Sequence, residues 1–154
     1  MKAFFKILIT TILSLGCSKM TISEENYSYN LPLGSTTLLI YGGKDNDEYL
    51  GKLNASKYDS ESIWNQYGKY GSRYNSKSIW NQYGTYGSKY NTCSPFNDYA
   101  SYPPILVDKN GKFYGYFTSN KYKSQRAKLK LVDIICENHE AISEDVSGWY
   151  DKIF

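Results

Sequence analysis

Residues 60–75 read SESIWNQYGKYGSRYN and residues 76–91 read SKSIWNQYGTYGSKYN. Thirteen of the 16 positions are identical, the differences being Glu61/Lys77, Lys69/Thr85 and Arg73/Lys89. A decayed third copy spans 92–102, where Phe96 stands in place of the tryptophan and Ala100 in place of the glycine. Upstream, Ala55-Ser56-Lys57-Tyr58 matches the Gly71-Ser72-Arg73-Tyr74 end of a unit. A 16-residue period is not a common solenoid length, and so few units make a poor rod. The units are therefore expected to drape over a sheet. Ser60 and Ser76 are placed to cap a short helix, and Gly68 and Gly84 to end it in the left-handed conformation. On such a turn Trp64 and Tyr67 share a face, as do Trp80 and Tyr83. The Tyr-Gly-Ser-x-Tyr that follows reads as a turn.

On either side of the repeat lie two related hairpins. Thr37 to Tyr41 is a short apolar strand, followed by a polar turn and the return strand Tyr49-Leu50-Gly51-Lys52-Leu53. Later, Ile105-Leu106-Val107 precedes Asp108-Lys109-Asn110-Gly111, a strong hairpin signal, and returns through Phe113-Tyr114-Gly115-Tyr116-Phe117. Tyr49 and Leu53 match Phe113 and Phe117. The central Gly51 and Gly115 mark bulges, or places where a tryptophan ring lies on the backbone. Ala127, Leu131, Ile134 and Ile135 are spaced for one face of a helix capped by Ser124 and ending near Asn138. The acidic tail from Glu137 ends on Trp149, Tyr150 and Phe154 and is expected to dock by its aromatics. The expected fold is α+β: a small antiparallel sheet from two hairpins, short aromatic-rich helical repeats and a C-terminal helix.

The N-terminus reads as an export signal. Lys2 and Lys6 precede the apolar run Ile7 to Leu15, which is far shorter than the ~20 residues of a membrane-spanning helix, and Ser14 and Gly16 place small residues before Cys17. Leu13-Ser14-Leu15-Gly16-Cys17 also resembles a bacterial lipoprotein box, which implies lipidation of Cys17 and a membrane anchor. Ser14 departs from the aliphatic residue preferred there, and ordinary signal peptidase would cut the same bond. Residues 1–16 are thus assigned to the signal, 17–34 to a flexible tether and 35–154 to a single domain. Removing the first 16 of 154 residues leaves 138 and lowers the formal net charge from +3 to +1. That balance is too weak to imply a nucleic-acid partner. Export would pair the two remaining cysteines, Cys93 and Cys136, in a disulfide; two buried free thiols are the alternative.

The repeat and second hairpin together resemble a family of small exported bacterial proteins. These carry S-I-W-N-x-Y-G-x-Y-G-S-x-Y units followed by a P-P-x-x-V-D-x-x-G-x-x-Y-G hairpin. The matching residues are Ser62-Ile63-Trp64-Asn65 and Ser78-Ile79-Trp80-Asn81, then Pro103-Pro104, Val107-Asp108, Gly111 and Tyr114-Gly115. The resemblance covers roughly residues 49–120. It implies export and this organisation, and no particular activity.

With 41% hydrophobic and 21% charged residues the chain can bury a core. No catalytic constellation emerges. The single histidine, His139, lies in a polar context near a helix end and reads as a surface side chain. Asp45, Asp47, Glu48, Asp59 and Asp98 have no spacing that sets two carboxylates around a substrate. Neither Asp45-Asn46-Asp47-Glu48 nor Asp108-Lys109-Asn110 fits EF-hand spacing, so no metal or cofactor is assigned. The duplicated aromatics remain. Trp64, Tyr67, Tyr70, Trp80, Tyr83 and Tyr86, with Asn65 and Asn81, are residue types that stack sugars or grip peptides, although the tryptophans also suit a core. The tyrosines after each glycine, Tyr70 and Tyr86, are expected to be exposed. The reading is an exported, envelope-associated binding or structural protein contacting a glycan or a protein partner. The rival is an envelope hydrolase using unassigned carboxylates.

Overall fold

The structure is a computed structural model and describes residues 36–154. The signal, the tether and Cys17 lie outside the described residues. Four strands form one antiparallel sheet in the order β2-β1-β3-β4: β1 (Leu39–Gly42), β2 (Glu48–Lys52), β3 (Ile105–Val107) and β4 (Phe113–Tyr116). The two hairpins join through β1 and β3, with Leu39 opposite Val107 and Tyr41 opposite Ile105. The β3–β4 turn is closed by Asp108, whose Oδ1 accepts the N–H groups of Asn110 at 2.8 Å and Lys112 at 3.0 Å, while Gly111 takes φ +80°. One face buries Leu38, Ile40, Leu50 and Leu106 completely, as expected for an antiparallel sheet covered on one side.

Gly51 and Gly115 sit at positive φ, +104° and +119°, near register shifts in both hairpins. The bulge lets the next segment pair along each outer edge. Lys52 bridges Ser62 and Tyr116 bridges Arg126, both parallel. A Cβ on Gly115 would lie 2.6 Å from the Ala127 backbone, and one on Gly51 would lie 2.7 Å from both the Glu61 carbonyl and the Tyr70 side chain. The ring packed at Gly51 is therefore a tyrosine, not a tryptophan.

The repeat contains no helix among the described residues; the short helices expected there are replaced by consecutive turns. Backbone bonds link Ser62 to Asn65, Asn65 to Gly68, Gly68 to Ser72, Ser72 to Asn75 and Asn75 to Ser78. Four steps of three residues and one of four make up the period, and the same chain of bonds runs on from Ser78 to Ser94. Each step is seeded by Ser, Asn or Gly. The side-chain oxygen of the Ser or Asn accepts the N–H two residues on, as at Ser62–Trp64 and Asn65–Tyr67. Local side-chain bonds of this kind compete with the helix and win here. Gly68 and Gly84 do not take the expected left-handed conformation. The indispensable glycines are Gly71 and Gly87 in the four-residue step, where a Cβ would lie 2.1 Å from the carbonyl oxygens of Asn65 and Asn81.

These coils stack on one another. Trp64 and Trp80 are 5.5 Å apart, Trp80 and Phe96 6.2 Å, and Phe96 and Phe117 6.2 Å, forming a buried aromatic ladder at favourable ring separations. Both ladder indoles donate to earlier carbonyls, Trp64 to Leu53 just after β2 at 2.8 Å and Trp80 to Ile63 of the preceding coil. The coils thus build a short stack as well as covering the sheet. Helix α1 (Lys130–Glu144) begins six residues after Ser124 with no side-chain cap, and α2 (Val146–Ile153) is capped by Asp145. The tail docks through Tyr150 and Phe154, which pack against Trp64 at 6.1 and 5.9 Å.

Candidate functional site

Each coil has an inward face, a sheet face and an outward face, and the turn register decides which aromatic goes where. Trp64, Trp80 and Phe96 point into the core. Tyr70 and Tyr86 turn toward the sheet: Tyr70 packs edge-on against Tyr49 at 5.1 Å, and Tyr86, buried, lies against Gly42. Burial raises the phenol pKa of Tyr86. The expectation that Tyr70 and Tyr86 face solvent is therefore corrected; the sheet glycines Gly51 and Gly42 leave room for their rings. Of the six aromatics singled out from sequence, only Tyr67 and Tyr83 are outward.

They belong to a larger set. Tyr58, Tyr67, Tyr74, Tyr83, Tyr90, Tyr99 and Tyr122 are 82–98% exposed, above every other aromatic side chain described. All seven occupy the same place in the same turn. The N–H of each donates to the Ser Oγ or Asn Oδ1 two residues earlier, at 2.9–3.3 Å. Asn65, Asn81 and Asn97 also donate through Nδ2 to the carbonyl six residues back, so these amides brace the coil. The rings are therefore displayed from a closed backbone rather than from a loose loop.

The tyrosines pair across three equivalent surface grooves. Tyr67 and Tyr74 flank a groove of about 390 Å³ with Gln66, Ser72 and Arg73. Tyr83 and Tyr90 flank one of about 190 Å³ with Gln82, Ser88 and Lys89. Tyr99 and Tyr122 flank one of about 440 Å³ with Asp98, Asn120 and Lys121. The second wall of the third groove comes from the segment after β4, where Ser119-Asn120-Lys121-Tyr122 takes the place of Gly-Ser-x-Tyr. The repeat as legible in the sequence ends at residue 102 and does not include this wall. The signal was present as a Lys-Tyr following Asn, in phase with Lys57-Tyr58 and Lys89-Tyr90.

A ladder of ion pairs ties these walls to the helices: Lys57–Asp151, Arg73–Glu144, Lys89–Glu140 and Lys121–Glu137. Such exposed pairs contribute little stability, but they neutralise the cation of every groove. Other carboxylates are also committed. Asp59 and Glu61 hold Lys52, Glu48 holds Lys77 and Asp133 holds Arg126. The Glu61 N–H bonded to Asp59, with help from Lys52, keeps its carboxyl below the usual range. At Asp108 burial pushes upward, but the Lys112 and Asn110 N–H groups outweigh it and the carboxyl is lowered. Among the described residues no group of three His, Cys, Asp or Glu converges as a metal site. The His139 ring stacks on Phe96 at 4.2 Å. Cys93 is buried and Cys136 partly so, and both are free thiols.

No family model, curated protein or solved structure matches the chain. The function is therefore argued from the chemistry of the grooves.

Proposed function

We propose that this protein is an exported, envelope-associated binding protein whose repeated tyrosine grooves hold an envelope polymer or partner. Residues 1–17 support export. One observation supports binding: seven nearly fully exposed tyrosines, all set by the same closed turn, six of them paired across three grooves. A fold that needs aromatics only for its core has Trp64, Trp80 and Phe96 for that purpose, and gains nothing from a regular outward row. Tyrosine offers a rigid apolar face with a polar tip at low side-chain entropy cost, and replication turns weak individual contacts into avidity.

The test is co-sedimentation of the purified mature chain with isolated bacterial envelopes. The parent should pellet, and a Tyr67→Ala/Tyr83→Ala/Tyr99→Ala variant with an unchanged melting temperature should stay in the supernatant. Equal pelleting of the two proteins overturns the reading.

A further inference from the structure

We infer that the occupant of the tyrosine grooves is a neutral, linear, β-1,4-linked glycan lying along the coil stack, so that successive sugars meet successive tyrosine pairs. This inference rests on the binding reading above and names its ligand class.

Three observations select this occupant. The first is charge. The cation of each groove is already paired with a carboxylate of α1, and the third groove adds Asp98, held by Ser119 Oγ at 2.6 Å. A polyanion would meet no free positive field and at least one negative charge, so nucleic acid and sulfated glycan are disfavoured.

The second is the backbone. Each displayed tyrosine has its N–H bonded to its own turn, and no residue of the four strands lines a groove. A peptide that binds by adding a strand needs a free strand edge, and these grooves do not present one. What remains is ring faces, hydroxyls and side-chain amides, the groups that meet the C–H face and the hydroxyls of a pyranose.

The third is periodicity. The inner rings of successive coils have centroids 5.5 and 6.2 Å apart, close to the rise of one pyranose in an extended 1→4-linked chain. Alternate rings of a β-1,4-linked chain are turned over, but equatorial substituents leave C–H groups on both faces, so each ring can offer one to the tyrosine pair of its groove. A globular partner has no reason to repeat.

Isothermal titration with chitohexaose, cellohexaose, their disaccharides and heparin tests the inference on the mature chain. At least one hexasaccharide should bind about tenfold or more tighter than its disaccharide, because several grooves engage together. Binding should be insensitive to salt. Tyr83→Ala should weaken it about fivefold, one stacked ring's worth, at unchanged melting temperature, and Tyr83→Phe should keep most of the affinity. Binding of neither hexasaccharide, equal affinity for disaccharide and hexasaccharide, or salt-sensitive binding of heparin alone overturns the glycan assignment. If the triple tyrosine variant still loses envelope sedimentation in that case, the grooves bind another class and only the ligand is wrong. If it sediments like the parent, the binding reading fails with it.

Discussion

The indole N–H of Trp80 donates to the backbone carbonyl of Ile63, 17 residues earlier and one coil back in the stack. Both groups are buried, so the bond ties neighbouring coils where no water can substitute. Trp80→Phe keeps the ring in the ladder but orphans the carbonyl and should cost about 1–3 kcal/mol. Trp80→Ala should cost about 3–5 kcal/mol. Urea unfolding separates the two, and a Phe variant as stable as the parent removes the bond's role.

The two glycines of a repeat unit should respond differently. Gly87→Ala places a Cβ 2.1 Å from the Asn81 carbonyl, whereas at Gly84 the nearest atoms are on the Asn81 side chain at 3.2 Å. Gly87→Ala should therefore destabilise by about 1–3 kcal/mol and Gly84→Ala by less than about 1 kcal/mol. Equal denaturant midpoints for the two variants would contradict the close backbone approach.

Tyrosines three residues apart have opposite duties. Tyr86 is buried against Gly42, so Tyr86→Ala should cost about 3–4 kcal/mol. Tyr83 projects into solvent, so Tyr83→Ala should change stability by no more than about 0.5 kcal/mol. Thermal melts of the two single variants decide the assignment of faces.

Asp59 gives an acid-limb prediction. Its carboxyl sits below the ordinary value of 3.8, first because it accepts the Glu61 N–H and then because of Lys52. A lowered folded-state pKa stabilises fully above the unfolded value and loses that contribution as pH falls through the folded one. Stability should therefore decline below pH 3.8 more steeply in the parent than in Asp59→Asn. Parallel acid limbs in urea-unfolding series at stepped pH would contradict this.

Processing and thiols can be read in one preparation. The proposal of export predicts a mature chain beginning at Cys17 with an acyl mass increment when extracted from membranes. Burial pushes the Cys136 thiol up to about 12, so the folded, reduced chain should alkylate slowly there at neutral pH. Oxidation after export should pair Cys93 with Cys136, and the unfolded, unreduced chain should then take no label at either residue. Two labels would show that the thiols stay free, as they stand in the structure.

Much of the fold was legible from short-range chemistry. Asn110-Gly111 and the matched return strands specified two hairpins, because turn geometry and period-two alternation act over a few residues. The repeat was visible as identity, and Trp64, Trp80 and Phe96 could be aligned as equivalents before their contacts were known. Its local conformation was misread because Ser-to-Trp-to-Tyr spacing fits a helical turn as well as it fits steps of three closed by Ser and Asn side chains. Only the full run of bonds from Ser62 to Ser78 distinguishes the two.

By itself the sequence determined the 16-residue period, the hairpins and the aromatic identity of the inner ladder, since each is written in neighbouring residues. Tertiary structure alone decided what the sheet-facing tyrosines meet. Tyr67 follows Asn65 by two residues and is held by that turn, whereas Tyr70 follows Gly68 and packs where Gly51, far away in the chain, leaves room for its ring. It alone also completed the third groove, where Tyr122 returns beside Tyr99 after an intervening hairpin. Burial and groove pairing depend on what arrives from elsewhere in the chain, and no local propensity encodes that.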